Sequence, residues 1–483
     1  MERSKRYSLI ILVLLIGSYA LLQTLLFAGE SKPKQTKGKT AVVVGWDSVP
    51  AILARIKAPQ FPAHDFKITD YGAAADGASE CTEAIKKAIE ACNAAGGGRV
   101  VAPPGVFLTG PIHLKSNVNL YVSEGATLKF LADPSKYMPV VFTRFEGTEC
   151  MNFSPLIYAF EQKNIAVTGS GILDGSASSE NWWGWVRRGP DNPGARVSIT
   201  RLLDFNERGV PVEQRVFGLG HYLRPNFIQP YRCQNVLIEG VTINNSPMWE
   251  LHPVLCTNVT VQGVKIATHG PNNDGCDPES CRDVLIENCV FDTGDDCIAI
   301  KSGRNNDGRR VAVPSENLII RGCTMKDGHG GVVVGSEISG NCSNVFIENC
   351  RMDSPNLDRG LRFKSNALRG GIIENIFMRN VEIGRVAEAV LTVDFLYEVG
   401  AKGPYRPSLR NVAIENVKSS SSPRVMWVAG FPGAIIDEIR FMNCTFKGVN
   451  EAERLEGAGS VYFKNVTIEP AKKVRSLNSP GDQ

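Results

Sequence analysis

One short segment recurs seven times between residues 235 and 419, and this recurrence limits the chain to few folds. Each copy starts with Asn or Asp and alternates apolar with polar residues, as in NVLIEGVTI, NVTVQGVKI and DVLIENCVF. The starts, spaced by 23, 25, 34, 27, 31 and 36 residues, are Asn235, Asn258, Asp283, Asn317, Asn344, Asn375 and Asn411. A segment this short cannot bury its apolar face alone, so successive copies have to stack. The pattern predicts an all-β fold, a parallel β-helix with loops of variable length on one face.

Upstream segments extend the repeat and supply a cover for its first coil. NVNLYVSEGATL from Asn117 and NIAVTGSGILDG from Asn164 continue the theme. SECTEAIKKAIEACNAAGGG predicts one amphipathic helix with Ser79 as N-cap and glycines 96–98 at its end. The residues expected on its apolar face are Cys81, Ile85, Ala88, Ile89 and Cys92. Since a solenoid needs its open end covered, we interpret this helix as an N-terminal cap.

The N-terminus predicts export. Arg3, Lys5 and Arg6 precede an apolar stretch over residues 9–28, which is typical of a signal peptide or an uncleaved membrane anchor. The predicted organisation is therefore a signal peptide or anchor over 1–28 and a linker over 29–45, then a single β-helical catalytic domain over 46–470 and a disordered tail over 471–483. We expect a periplasmic or extracellular protein, whose contact with a membrane is limited to its N-terminal segment.

Charge and cysteine content narrow the possible partners. Charged residues make up 21% of the chain and the net charge is +3, which gives no case for nucleic-acid binding. Four of the 13 cysteines follow one local pattern, in IENCVF, IRGCTM, IENCRM and FMNCTF. We expect Cys289, Cys323, Cys350 and Cys444 to be free thiols in one buried column, with bridges between neighbouring coils as the alternative. The absence of a CxxC pair argues against a zinc site.

A second series of segments places charged residues at one point of successive coils. These segments end in Ser280, Ser302, Ser336 and Ser365. Counting back six residues from the first two serines gives Asp274 and Asp296, and counting back seven residues from Ser302 and Ser336 gives Asp295 and His329. Arg362 and Lys364 lie three residues and one residue before the last serine. If the serines stack, three acids, one His and two cations share a surface of the solenoid.

Asp295 and Asp296 are neighbours in GDDCIAIKSG, and such a pair has two interpretations. It is commonly a solvated turn. Alternatively, it belongs to a site that needs one protonated and one ionised carboxylate, since close carboxylates push one pKa upward. Adjacent residues of a regular strand face opposite ways, so the second interpretation requires irregular backbone, which Gly294 permits.

The segments NND, GDD, GHG and RFK, in this order, resemble the four signatures of the glycoside hydrolase family 28 polygalacturonases, written NTD, DD, GHG and RIK. DYGAAADG, GGGRVVAPPGVFLTGPIHLKS and SPMWELHP are also similar to bacterial members of that family. Asn273 and Phe363 depart from the signatures, but neither change removes a titrating group. The resemblance implies a right-handed parallel β-helix that hydrolyses α-1,4 links of polygalacturonate with inversion. Separately, we expect a monomer that uses no cofactor and no metal.

Roles follow from the same resemblance. It implies that Asp295 is the general acid, while Asp274 and Asp296 hold and deprotonate the attacking water. His329 would orient or tune the acid. Arg362 and Lys364 would bind a galacturonate carboxylate, so the expected partner is an acidic polysaccharide or oligogalacturonide.

Several alternatives stay open at this stage. Other candidate functions are a rhamnogalacturonan hydrolase, a calcium-dependent pectate lyase that uses the Asp cluster for its ion, or a solenoid that only binds acidic polysaccharide. The aromatic segment ENWWGWVRRG either stacks on sugar rings or is a packed loop at one wall. Arg224 and Lys301 would add positive charge near the groove. The long connection over residues 180–222 favours exo action, because added loop mass can close a groove into a pocket.

Overall fold

The computed structural model describes residues 44–187, 193–451 and 453–471, and its strands form the stacked sheets of a parallel β-helix. The predicted fold class is therefore confirmed. Sheet A is the longest sheet, and its strands in spatial order are Asp65–Lys67, Gly98–Ala102, Val118–Val122, Lys163–Gly169, Gln234–Glu239, Thr257–Gln262, Arg282–Glu287, Ser315–Arg321, Cys342–Glu348, Ile372–Arg379, Ser408–Glu415, Ile439–Met442 and Val461–Lys464, with Ile435–Ile436 added beside Ser408–Glu415.

Sheet B follows sheet A in almost every coil. Its strands in order are Asp76–Glu80, Gly105–Thr109, Ala126–Phe130, Ile172–Asp174, Thr242–Asn244, Lys265–Thr268, Val290–Thr293, Thr324–Met325, Arg351–Met352, Glu382–Arg385, Lys418–Ser421, Thr445–Val449 and Thr467–Pro470. Sheet C contains Ile298–Ile300, Val332–Val334, Arg359–Lys364, Ala389–Asp394, Arg424–Ala429 and Arg454–Glu456. One apolar core fills the space between the sheets.

A smaller sheet leads into sheet C from the N-terminal coils. It contains Ile112–His113, Ile157–Phe160 and Ile228–Tyr231. Single bridges from Ile228 through Leu251 and Cys276 to Ile298 connect it with sheet C. The one antiparallel pair among the described strands joins Val141–Phe145 to Thr148–Asn152.

Helices are short and lie outside the sheets. The α-helices are Val49–Leu53, Thr82–Ala94, Ala195–Glu207 and Asn305–Val311, and the 3₁₀ helices are Trp46–Ser48, Ile68–Tyr71, Pro134–Tyr137, Trp182–Val186 and Val212–Gln214. Thr82–Ala94 is the predicted cap, and all five residues expected on its apolar face are buried in the core. The predicted N-cap was wrong, because Cys81 occupies that position while Ser79 lies in the preceding strand.

The seven repeats stack in the register that their sequences predict. Val236 pairs with Val259, which pairs with Val284, and the same alignment continues through the later copies. The first residue of each copy has a positive φ, between +55° and +60°, which Asn and Asp tolerate best after Gly. Most neighbouring asparagines are joined by a side-chain hydrogen bond of 2.7 to 3.0 Å, from the amide NH₂ of one coil to the amide oxygen of the preceding coil. The repeat therefore builds an asparagine ladder along the solenoid.

Asp283 interrupts this ladder, and an N-terminal strap, residues 46–57, covers the interruption. Because a carboxylate has no hydrogen to donate, Asp283 cannot form a hydrogen bond to the amide oxygen of Asn258. That oxygen accepts instead from the backbone N–H of Lys57 at 2.9 Å. Arg55 places its guanidinium 2.6 Å from the Asp283 carboxylate. At its other end, the ring of Trp46 packs against Phe346 at 5.5 Å, on the outer side of sheet A. The replacement of Asn by Asp in this one copy thus provides the contacts that position the chain preceding the solenoid.

All thirteen cysteines are buried free thiols, as the sequence predicts for the column of four. Val290 pairs with Thr324, which pairs with Arg351, so Cys289, Cys323 and Cys350 stack on consecutive coils. Cys444 follows further along the same column. A second column, which the sequence analysis did not identify, contains Cys233, Cys256 and Cys281.

The predicted division of the chain stays a prediction at its two ends. Contacts group the chain into residues 1–44 and residues 45–483. The signal peptide or anchor, most of the linker and all but one residue of the tail lie outside the described residues. Within the described part of the chain, no helix is long and apolar enough to cross a membrane.

Candidate active site

Three carboxylates meet beside the first strands of sheet C. Cys276 pairs with Ile298, which places Asp274 and Asp296 in register on neighbouring coils, as the count from the serines predicts. An oxygen of Asp274, one of Asp295 and one of Asp296 all lie within 4.8 Å of one another. Asp274 and Asp296 are nearly inaccessible to solvent but lie outside the apolar core, while Asp295 is partly exposed. The predicted register of Asp274 and Asp296 on neighbouring coils is therefore confirmed, and their carboxylates lie close together.

Irregular backbone brings Asp295 and Asp296 to the same side. Residues 294–297 lie between the strands Val290–Thr293 and Ile298–Ile300 and belong to neither. Gly294 is required there for space, because a Cβ atom at this position would meet the carbonyl oxygen of Gly270 at 2.4 Å. The expectation of irregular backbone at Gly294 is confirmed, although the constraint is close approach and not a positive φ.

Asn273, one of the two departures from the family signatures, holds the preceding turn in place. Its side-chain oxygen accepts from the backbone N–H of Gly270 at 2.6 Å and from the hydroxyl of Thr268 at 2.9 Å. Its amide NH₂ donates to the carbonyl oxygens of Ser246 and Met248. The Asn thus satisfies four polar groups in a fully buried position and fixes the loop that carries Asp274.

Cations surround the carboxylates. The Nζ of Lys364 is 2.6 Å from Oδ2 of Asp296, and Nη1 of Arg362 is 3.5 Å from Oδ1 of the same residue. On the other side, Nζ of Lys301 is 3.5 Å from Asp274. Lys301 therefore belongs to the site, as the sequence suggests, while Arg224 bonds mainly to carbonyl oxygens of Pro247 and Pro271.

These charges give two of the carboxyls opposite proton affinities. Burial raises the pKa of Asp274 well above its usual range, and repulsion by Asp277 and Asp295 adds to this effect. Burial also acts to raise the pKa of Asp296, but attraction by Lys364, Arg362 and Lys301 outweighs it and lowers that pKa to about 2. The pair therefore joins a carboxyl with a raised pKa to one with a lowered pKa, and an acid–base site needs carboxyls of such unlike proton affinity.

Asp295 and His329 form the more open part of the site. Nδ1 of His329 is 3.0 Å from Oδ1 of Asp295, which also accepts from the backbone N–H of Asp296 at 3.0 Å. The hydrogen bond to Asp295 is the main cause that raises the pKa of His329. About half of the His329 side chain is exposed, so this pair faces the solvent from which a substrate arrives.

The structure adds site residues that the sequence analysis missed. Asp277 and Glu337 lie 3.3 and 3.4 Å from Nζ of Lys301 and balance its charge together with Asp274. Asp277 precedes Ser280 by three residues, so the count that located Arg362 could also have located it. The ring of Tyr397 lies 5.4 Å from Nζ of Lys364 and 5.8 Å from the guanidinium carbon of Arg362. No repeat or spacing marks this tyrosine in the sequence.

The aromatic segment Trp182–Val186 is a packed element at one wall. Trp182 is fully buried, and its ring contacts those of Tyr137 and Trp185 at 5.6 and 4.7 Å. Trp183 donates its indole N–H to the carbonyl oxygen of Ser246 at 2.8 Å and lies directly against Gly270. Of the two interpretations of this segment, the structure favours the packed loop, which borders the coil that carries Asp274.

The carboxylate cluster has the donor atoms that a divalent cation prefers, and its oxygens lie close enough together to share one. Its negative charge, however, is already balanced. Lys364 directly contacts Asp296, and Lys301 lies beside Asp274, so a cation between the carboxylates would be repelled by two buried ammonium groups. The residues present therefore fit a metal ion poorly.

Comparisons with known proteins agree with this arrangement. Residues 219–467 match the family model "Glycosyl hydrolases family 28", and residues 66–129 match the model "Rhamnogalacturonase A/epimerase, pectate lyase-like". The chain is 28% identical to an exo-poly-alpha-D-galacturonosidase of Dickeya chrysanthemi, over 83% of this chain and 74% of that protein. It is 27% identical to a probable polygalacturonase of Vitis vinifera, over 86% of this chain and 76% of that protein.

A solved structure is more similar. The crystal structure of a hyperthermoactive exopolygalacturonase from Thermotoga maritima superimposes with a TM-score of 0.82 at 44% identity, over 88% of this chain and 96% of that chain. The chain belongs to glycosyl hydrolase family 28.

Proposed function

We propose that this protein is a polygalacturonase, which hydrolyses the α-1,4 bonds of polygalacturonate. The observation that carries the proposal is the meeting of three carboxylates with Arg362 and Lys364 in a member of family 28. Acids of unlike proton affinity can protonate a leaving oxygen and activate water, and adjacent cations suit a substrate that carries one carboxylate on every sugar.

Within this site, we assign the attack on the sugar to the pair Asp274 and Asp296. Asp296 is held ionised by its cations and can accept a proton from water. Asp274, whose pKa is raised by burial, can orient the same water by a hydrogen bond. Asp295 then protonates the leaving oxygen, and the adjacent His329 can return a proton to it between turnovers.

The stereochemical outcome of this scheme is inversion, because the water attacks directly and no glycosyl-enzyme forms. The carboxylates are closer together than the roughly 6.5 to 9.5 Å that is common in inverting glycosidases, since oxygens of all three lie within 4.8 Å. Inversion therefore requires that the anomeric carbon has the water of Asp274 and Asp296 on one face and the leaving oxygen, within reach of Asp295, on the opposite face.

Exo action is part of the proposal. The 44% identical relative is an exopolygalacturonase. In addition, Trp183 lies against the Gly270 backbone on the coil of Asp274 and bonds to Ser246 on the preceding coil, so it borders the N-terminal side of that coil. A wall at this position would leave room for the end of a polysaccharide and not for its continuation.

The test is hydrolysis of polygalacturonate by the purified protein, with and without EDTA. We expect new reducing ends without ultraviolet-absorbing unsaturated products, no effect of EDTA, and mono- or digalacturonate from the first minutes while viscosity falls slowly. Unsaturated products or loss of activity in EDTA would indicate a calcium-dependent lyase instead. Activity on a rhamnogalacturonan without activity on polygalacturonate would identify the protein as a rhamnogalacturonan hydrolase.

Replacing Arg362 by Ala should weaken substrate binding by about 1.5 to 3 kcal/mol, because a charge-assisted contact with a carboxylate is lost. The measurement is kcat/KM on polygalacturonate and on a methyl-esterified substrate. The loss should shrink on the neutral substrate, although not to zero, since Arg362 also lies 3.5 Å from Asp296. Arg351→Ala, at a solvent-exposed site of sheet B, is the control. Equal losses on both substrates would mean that Arg362 does not bind the carboxylate.

A further inference from the structure

A pocket continues the groove beyond Arg362, towards the C-terminal coils. In sheet C, Arg362 pairs with Thr392 on the next coil, and Thr392 pairs with Trp427 on the following one. Parallel strands lie about 4.8 Å apart, so Thr392 and Trp427 lie about 5 and about 10 Å further along the solenoid than Arg362. The pocket contains about 380 Å³ of empty space, part of it open to solvent.

Polar atoms in this pocket are buried without a partner. The side chain of Thr392 lines the pocket and is 2% exposed, yet its hydroxyl makes no hydrogen bond with any described residue. The Nε atoms of Arg359 and Arg362 are also buried and unpartnered. Such groups cost folding free energy, so their presence in a pocket is explained if a ligand supplies the missing hydrogen bonds.

The pocket presents both donors and acceptors to a sugar acid. Three arginines line it and each also has an ion-pair partner, Arg359 in Asp358 and Glu388, Arg362 in Asp296, and Arg424 in Glu451. Glu388 is occupied by a hydrogen bond from Arg359. Asp394 accepts one backbone N–H at 3.0 Å and retains oxygen lone pairs for a sugar hydroxyl.

Trp427 gives the pocket an apolar surface. The indole is partly exposed. The guanidinium of Arg454 packs over its ring at 5.3 Å from the centroid and helps to hold the ring in place. Aromatic rings in carbohydrate sites contact the CH groups of a pyranose, while the hydroxyls of the sugar reach polar groups at the rim. Thr392, Asp394 and Trp427 together offer both kinds of contact.

We propose that this pocket, bounded by Arg362, Thr392, Asp394 and Trp427, is a second uronate subsite. It binds the galacturonate that follows the one held at Arg362, and it makes turnover depend on the length of the substrate. The inference rests on the proposed polygalacturonase function and extends it, since neither the signature segments nor the sequence repeat marks Thr392, Asp394 or Trp427.

The experiment compares digalacturonate, trigalacturonate and tetragalacturonate as substrates of the wild type, Trp427→Ala and Thr392→Val. A dimer spans only the cleavage point and the Arg362 subsite, so kcat/KM for it should change less than about 2-fold in either variant. For the trimer and tetramer, we expect kcat/KM to fall about 10-fold in Trp427→Ala and about 3-fold in Thr392→Val. Tyr462→Ala, which removes an exposed aromatic ring from sheet A, should leave all three substrates unaffected.

Two results would overturn the subsite. One is an equal loss on all three lengths, which would mean that the pocket acts through the carboxylates. The other is no loss on any length. If Trp427→Ala fails to fold, the nearly isosteric Thr392→Val decides by the same comparison. Failure of the wild type to hydrolyse any of the three substrates would overturn the proposed function, and the subsite with it, before any variant is compared.

Discussion

Replacement of Asp295 by Asn should slow hydrolysis of polygalacturonate by about 10²- to 10⁴-fold while substrate affinity is nearly retained. The amide keeps the size of the side chain and can still receive the hydrogen bond from the Asp296 backbone, but it cannot supply a proton to the leaving oxygen. Steady-state kinetics with polygalacturonate would measure the fall in kcat, and product inhibition would report the retained affinity. The loss should persist on esterified substrates, in contrast to that of Arg362→Ala.

Two further variants make this result specific. Asp353→Asn, at a solvent-exposed position of the coil surface, should leave the rate unchanged. Asp274→Asn tests the competing assignment, because Asp274 is the carboxyl whose pKa is raised by burial. Retention of more than a tenth of the activity by Asp295→Asn, together with an inactive Asp274→Asn, would transfer the role of general acid to Asp274.

Replacement of Lys301 by Met should lower the free energy of unfolding by about 3 to 5 kcal/mol at neutral pH, because buried carboxylates lose their counterion. Nζ of Lys301 lies within 3.5 Å of Asp274, Asp277 and Glu337 and contacts the face of Trp249 at 4.3 Å. Methionine preserves the apolar contact with the indole, so the loss reports the charge. Denaturant unfolding followed by circular dichroism measures it.

The effect of Lys301→Met should depend on pH with a defined sign. Burial acts to raise the pKa of Glu337, but Lys301, Arg369 and Arg304 lower it below its usual range. A carboxyl with a depressed pKa stabilises the folded state above its unfolded pKa and loses that contribution as pH falls. The difference between wild type and variant should therefore be largest near pH 7 and shrink below about pH 4. Lys326→Met, with a half-exposed side chain, should cost less than about 0.5 kcal/mol at either pH.

The repeat made the scaffold predictable from the sequence. A coil that cannot bury its own apolar face has to place equivalent residues on equivalent positions, so alignment of the copies gives the register directly. The same logic located Asp274, Asp295, Asp296 and His329 before any coordinates. The N-cap prediction at Ser79, which came from the helix pattern and not from the repeat, was wrong, because the position of the N-cap depends on where the preceding strand ends.

Parts of the site outside the strands were not predictable in this way. Tyr397 follows a strand of sheet C in a loop, and its distance to Lys364 depends on the path of that loop. The fit of Trp183 against Gly270 is set by a connection of more than thirty residues that has no counterpart in other coils. Such contacts are determined by tertiary packing, so neither the period of the sequence repeat nor the spacing of residues within it reveals them.

The strap of residues 46–57 determines how the enzyme would be held on a support. The chain enters the described structure beside Phe346 and Phe377, on the ninth and tenth of the thirteen strands along sheet A, while the carboxylates lie beside sheet C. A resin or a fusion partner that is coupled ahead of Gly45 would therefore pull on the flank of the molecule, with the groove left accessible to a polymer. Arg55→Ala would remove the contact of the strap with Asp283, while the packing of Trp46 on Phe346 would still fix the point at which the chain enters.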